Sequence, residues 1–116
     1  LRMGFVSSEI MKHGGIAICA PIAPYADTRR MVRDMTNQYG HFIEIYVATP
    51  LEVCEKRDRK GLYAKARAGI IKDFTGVSDP YEVPKSPEMV FDMTDISPDL
   101  AVHRILLKLE SIGCIR

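Results

Sequence analysis

Apolar residues recur at helical spacing over the first dozen positions: Phe5, Val6, Ile10 and Met11 share one face, and His13-Gly14-Gly15 follows as a stop. The pattern predicts a helix already under way at residue 1 with no N-cap before it, so upstream sequence is expected. Ile16-Ala17-Ile18-Cys19-Ala20 is a continuous apolar run of the kind found in strands buried on both faces, closed by Pro21 and Pro24. Asp27 and Thr28 are candidate caps for a helix through about Gln38, with Met31, Val32 and Met35 inward and Arg29, Arg30 and Arg33 mostly outward. Tyr39-Gly40 closes it. Phe42 to Val47 predicts a second strand, in which Glu44 suits an edge or solvent position. Thr49 as N-cap and Pro50 at the first position then open a helix carrying Leu51, Val53 and Cys54 to about Asp58.

From Lys60 to Pro87 no apolar period is sustained, and Gly, Pro and basic residues dominate. This predicts a long functional loop, with a helical turn or two around Leu62 to Ala68, because ordinary connections are much shorter. Met89-Val90-Phe91-Asp92 predicts a third strand. Ser97-Pro98 opens the last helix, with Leu100, Ala101, Ile105, Leu106 and Leu109 as its core stripe. Strands alternating with helices imply an α/β fold with a parallel sheet and flanking helices. Three strands are few for such a sheet, which again leads to the expectation of missing N-terminal sequence.

Composition sharpens this picture only at a few points. At 116 residues with 47% hydrophobic and 27% charged positions, one globular domain is expected. A net charge of +1 provides no global field toward nucleic acid or acidic membrane. The longest near-apolar stretch, Gly14 to Pro24, falls far short of a membrane span, and no signal peptide is visible. Three cysteines without CxxC spacing fit free thiols and a cytoplasmic setting, with Cys19 and Cys54 expected as small buried hydrophobes. His13, His41 and His103 are too scattered to argue for a metal site. Asp92 and Asp95 stand near a strand end, where α/β sheets bind ligands.

The chemistry concentrates after residue 55. Lys56, Arg57, Arg59, Lys60, Lys65, Arg67 and Lys72 place seven of the sixteen Lys and Arg residues close together. Guanidinium groups bind phosphate oxygens bidentately and lysine adds a mobile charge, so phosphate binding competes with a plain solvated basic face. Phe74-Thr75-Gly76 adds a ring suited to stacking on a base. The string Lys60-Gly61-Leu62-Tyr63-Ala64-Lys65-Ala66-Arg67-Ala68-Gly69, followed by Ile71-Lys72, Phe74-Thr75-Gly76-Val77 and Asp79-Pro80-Tyr81-Glu82, closely resembles the lid signature of adenylylsulfate kinases. Pro24-Tyr25 and Thr49-Pro50-Leu51-Glu52-Val53-Cys54-Glu55-Lys56-Arg57-Asp58 resemble the same family, collinearly over nearly the whole chain.

The resemblance implies an incomplete P-loop nucleotide kinase fold: residues 1–116 would be the C-terminal two-thirds of the domain, with a lid at about 60–87. It further implies transfer of the ATP γ-phosphate to the 3′-hydroxyl of adenosine 5′-phosphosulfate, with Mg²⁺ entering with ATP and held by residues of the missing part. By the family pattern Arg2, Lys65, Arg67, Lys72, Phe74, Thr75 and Gly76 bind the acceptor, and Arg57 and Arg67 meet ATP. No catalytic residue and no metal ligand is assigned within these residues. Fusion to an ATP sulfurylase, as in some bacteria, and a homo-oligomer are the implied partners.

Departures matter equally. No Gly-x-x-x-x-Gly-Lys-Ser/Thr string occurs, so nothing in this sequence cradles the β- and γ-phosphates. Ala23 stands where many members carry a phosphorylatable serine, Ala26 replaces a frequent arginine and Ile70 the usual glutamate. The expectation is therefore a kinase as the parent protein and an inactive isolated fragment. The alternatives are a non-catalytic module that binds adenylylsulfate nucleotides as a regulator, or a structural piece with no ligand. In such kinases the first strand lies between the segments assigned here to 16–20 and 42–47, so its absence leaves a gap in the sheet.

Overall fold

The computed structural model describes residues 1–116. Its elements are Arg2–Lys12 (α1), Ala26–Asn37 (α2), Ile45–Val47 (β1), Leu51–Arg57 (α3), Leu62–Arg67 (α4), Met89–Phe91 (β2) and Pro98–Ser111 (α5). None of these helices is long and apolar enough to cross a membrane.

Helix α1 ends as its sequence requires. Gly14 takes φ +77°, and the amides of Gly14 and Gly15 donate to the carbonyls of Met11 and Ile10 at 3.0 Å each. Its packing differs from expectation. The buried residues are Gly4, Ser7 and Ser8, while Phe5, Val6 and Ile10 stay 59, 57 and 40% exposed. The reason is close approach: a Cβ on Gly4 would stand 2.7 Å from Val32 Cγ2 of α2. Only small residues fit such a seam. The Ser7 and Ser8 hydroxyls donate to the carbonyls of Met3 and Phe5 within the helix, so burying them strands no polar group.

The sheet has two strands. β1 and β2 run parallel with Ile45 opposite Met89, Tyr46 opposite Val90 and Val47 opposite Phe91. Phe91, 4% exposed, is the main apolar anchor beneath it. The expected first strand is not formed. Residues 16–22 make no backbone hydrogen bond, and Ile18 is 94% exposed. A strand exists only through its ladder, and no other segment bonds to the backbone of this one; its neighbour, α1, touches it through Ser7 and Cys19 and has its own backbone bonds. Cys19 is accordingly exposed rather than buried; Cys54 is half-buried, and all three thiols are free.

Other boundaries also shift for physical reasons. Neither Asp27 nor Thr28 caps α2; the N-cap residue is Tyr25, and the carboxylate of distant Glu82 accepts from the Ala26 amide at 2.6 Å. Pro50 rather than Thr49 is the N-cap of α3, because the Thr49 hydroxyl accepts from the Met93 amide at 3.0 Å and joins the ends of the two strands. Ser97 does cap α5, its hydroxyl accepting from Leu100 N–H at 3.2 Å. Of the α5 stripe only Ala101 is buried; Leu100 and Leu106 remain 41 and 46% exposed. Seven residues in all are buried, and the radius of gyration of 15.9 Å exceeds the about 13 Å usual for this length. The fold is partial and open on its apolar side.

Candidate functional site

The basic segment folds as a short helix followed by a tight loop. Gly61, at φ +65°, lets the chain reverse after α3, and the Asp58 carboxylate then accepts from the amides of Tyr63 and Ala64 at 3.0 and 3.1 Å. That carboxylate caps α4 from outside and favours its positive end. Ala66 is buried beneath α4, which leaves Lys65 and Arg67 exposed in the last turn. Arg67 donates to the Glu55 carboxylate, and that hydrogen bond first, then the carboxylate's charge, raise the guanidinium above its ordinary range. Lys65 and Lys72, like Lys60 and Lys85, take part in none of the ion pairs.

Phe74 heads the loop that follows. Its amide donates to Ser78 Oγ at 2.7 Å, its carbonyl accepts from Val77 and Ser78, and the Gly76 amide donates to Asp79 O at 2.7 Å. Gly76 needs to be glycine twice over: its φ is +86°, and a Cβ there would lie 3.3 Å from Leu51 Cδ1. Asp73, just before the ring, also takes a positive φ of +54°, a strained setting for a non-glycine residue. The Phe74 ring stands edge-on to Tyr63, with centroids 5.2 Å apart at 73°. Burial, first of all, pushes the Tyr63 hydroxyl above its usual range. A half-buried ring thus sits beside a half-buried tyrosine.

The two remaining residues of the expected set lie elsewhere. Arg57 donates to the carbonyls of Met93 and Thr94 at 2.9 and 3.0 Å, fastening α3 to the turn after β2. Asp92 shapes that same turn. Its Oδ1 accepts from the Thr94 amide and hydroxyl, and the hydroxyl, above all, holds the carboxyl below its usual range. Arg2 lines a cleft of about 800 Å³ bounded by α1, residues 17–23, α2 and residues 41–45, with Tyr81 and Pro84 at its edge. None of Arg57, Lys65, Arg67, Lys72, Phe74, Thr75 and Gly76 lines it. Lys65, Arg67, Lys72, Phe74, Thr75 and Gly76 thus share one segment, while Arg2 lines a separate cleft that this segment reaches only through Tyr81 and Pro84.

Sequence reasoning missed the charged cluster at the foot of this lid. Arg29 and Arg33, expected outward, turn toward Glu44. Arg29 Nε lies 2.9 Å from Glu44 Oε1, and Arg33 bonds Glu88 through both terminal nitrogens at 2.5 and 2.8 Å. Glu44 is not a solvent position: its side chain is 17% exposed, and its Oε1 accepts no directed hydrogen bond. The Arg33 hydrogen bonds, foremost, hold the Glu88 carboxyl below its usual range. One signal was available in the sequence, namely the i, i+4 spacing of the two arginines opposite a glutamate within an apolar run.

Comparison with known proteins matches this geometry. The family model described as adenylylsulphate kinase covers residues 1–92. Sulfate adenylyltransferases of Gibberella zeae and Neurospora crassa are 52 and 50% identical over 114 residues, 98% of this chain in each case. The chain spans only 20% of the length of these fungal relatives. Among solved structures, the Mycobacterium tuberculosis APS kinase CysC in complex with AMPPNP and APS superposes with a TM-score of 0.88 at 37% identity. That match covers 94% of this chain and 63% of that one. The hexameric APS kinase from Thiobacillus denitrificans gives a TM-score of 0.69 at 44% identity, over 99% of this chain and 17% of that one.

Proposed function

The chain belongs to the adenylylsulphate kinase family, and on that premise we propose that the protein it is part of phosphorylates adenosine 5′-phosphosulfate on its 3′-hydroxyl with ATP. The observation that carries the reading is the lid. Phe74 is held half-buried at the mouth of a strained loop, with the unpaired cations Lys65 and Lys72 on the same segment. An aromatic face for a base, with mobile positive charge for phosphate and sulfate, suits a nucleotide acceptor. Phosphoryl transfer asks mainly for positioning and charge stabilisation, and a basic lid supplies both.

In this reading Phe74 stacks on the acceptor adenine, while Lys72 and the Thr75-Gly76 backbone hold the acceptor. Lys65 and Arg67 close over the phosphates, and Arg67 then exchanges Glu55 for a phosphate oxygen. Arg57 borders the ATP adenosine, and Arg2 reaches the acceptor's phosphosulfate from the opposite wall. Magnesium enters with ATP; no group of three His, Cys, Asp or Glu side chains that could hold it occurs in this chain. Residues 1–116 act as part of a kinase domain, fused to a sulfate adenylyltransferase as the lengths of the fungal relatives suggest, and the hexameric relative supports a homo-oligomer.

By itself the 116-residue chain offers no glycine-rich loop for the β- and γ-phosphates, so its own activity is expected to be negligible. The test is ATP- and Mg²⁺-dependent phosphorylation of adenosine 5′-phosphosulfate by the longest protein encoded with this sequence, compared with its Phe74→Ala variant. Activity that falls with a raised acceptor KM in the variant supports the proposal. An inactive longer protein that still binds the nucleotide saturably would instead make the domain a regulator.

A further inference from the structure

The C-terminal end of the lid, residues 79–88, is joined to the body at Glu88 by Arg33 and, around Glu82, by Arg29, which makes three different contacts. Arg29 Nη2 donates to Glu82 O at 2.6 Å, Nη1 donates to Ala23 O at 2.7 Å, and Nε lies 2.9 Å from the Glu44 carboxylate. The side chain is 11% exposed and lies against the Tyr81 ring, 5.7 Å from its centroid. Reciprocal bonds close the joint: Glu82 N–H donates to Pro24 O at 2.9 Å, and the Glu82 carboxylate accepts from Ala26 N–H at 2.6 Å. Tyr81 stacks on Tyr46 of β1 at 6.0 Å and 13°. Ala23, whose carbonyl Arg29 grips, holds a positive φ of +44°. A non-glycine residue stays there only where its surroundings over-determine it.

The other end of the lid has no comparable joint. Residues 60–72 contact the body through local bonds from Asp58 and Glu55 of the preceding helix. The lid is thus tied to distant segments at its foot and only to the adjoining chain along its basic helix. Lys72, Phe74, Thr75 and Gly76, four of the residues assigned to the acceptor, lie on the loop that leads into the foot.

We propose that Arg29 is a positioning residue: by clamping Glu82 and Ala23 around Glu44 it fixes the foot of the lid and so sets the placement of the acceptor-binding loop. This rests on the function proposed above for its kinetic part and on geometry alone for its structural part. A guanidinium is required because two carbonyls and one carboxylate must be met in fixed directions, which an ammonium does not do.

The structural part is read by amide hydrogen exchange on the 116-residue chain. Arg29→Ala is expected to speed exchange at Glu82 and Ala26 at least about tenfold, with Ala48 and Met89 of the sheet unchanged. Unaltered exchange at Glu82 and Ala26 would overturn the clamp. Should Arg29→Ala lose protection throughout, Arg29→Lys keeps a charge beside Glu44 while losing the paired carbonyl bonds, and the same selective pattern is expected of it. The kinetic part is read in the longer protein. The acceptor KM is expected to rise about tenfold, with the ATP KM and kcat within about threefold of the unaltered enzyme. An equal rise in both KM values, or a loss confined to kcat, overturns the positioning role. A longer protein without kinase activity overturns the proposed function instead, and hydrogen exchange still decides for or against the clamp.

Discussion

Around Glu44, two arginines, a second carboxylate and two aromatic rings are drawn into a network of short contacts that links α2 to the starts of both strands. Around Ile18, some of the most apolar sequence in the chain lies extended, with no backbone partner and 94% exposure at that residue. The difference lies in what each region needs from the rest of the molecule. Directed polar contacts need only a few partners, and these 116 residues contain the arginines and carboxylates of this network. Apolar burial needs surface on every side. Leaving a large apolar side chain wholly in water forfeits roughly 1.5–3 kcal/mol relative to full burial, and partial exposure a share of that. Phe5, Val6, Ile10, Ile16 and Ile18 all forfeit such a share. The lid side is therefore specified within the chain, and the α1 side is specified only in part.

The sharpest way to break this contrast is at the one place where the α1 side is tightly packed. Gly4→Leu drives a side chain into Val32, where even a Cβ would stand 2.7 Å away, and should destabilise the chain by about 3 kcal/mol, read by urea unfolding. Next comes Arg33→Ala, which leaves Glu88 and Glu44 partly unpaired and should cost about 2 kcal/mol. Its pH dependence gives the mechanism. Because Arg33 lowers the Glu88 carboxyl in the folded chain, the stabilisation is complete above the ordinary value of 4.5. It is lost as pH falls through the depressed folded value. Glu88→Gln should therefore flatten the acid limb of stability, and an unchanged limb would place that dependence elsewhere.

Ser97→Ala removes the hydroxyl that accepts from Leu100 N–H and should cost about 1 kcal/mol, seen as faster exchange in the first turn of α5. The smallest effect sharpens the comparison most. Ile18→Ser should change the stability of this chain by less than about 0.5 kcal/mol, since little is lost where nothing is buried. In the longer protein the same substitution should cost about 2 kcal/mol, as expected of a covered strand. Equal effects in the two settings would mean that Ile18 stays exposed in both.

Legibility followed the range of the interactions. The ends of α1 and α5 were readable, because a glycine at positive φ and a serine cap act within four residues of themselves. The short helix at Leu62–Arg67 was readable as well, from residue types in fixed local order. The caps of α2 and α3 were misread. Glu82 reaches Ala26 across 56 positions, and Thr49 is engaged by Met93 across 44, separations that no local pattern encodes. The inward faces of α1 and α5 were misread because amphipathicity states which side would prefer burial, not whether anything arrives to bury it.

The sequence by itself determined the order of most of the helices and strands, the α/β class, the family and the content of the basic lid. Each of these depends on residue identity and short spacing. Tertiary structure alone decided that Arg29 and Arg33 face inward, that Glu82 caps a helix far from it, and that Arg2 lines a cleft with Tyr81 and Pro84 at its edge. It also decided that residues 16–20 form no strand. A strand or a buried ion pair is a relation between distant segments, and its free energy appears only when both partners are brought together.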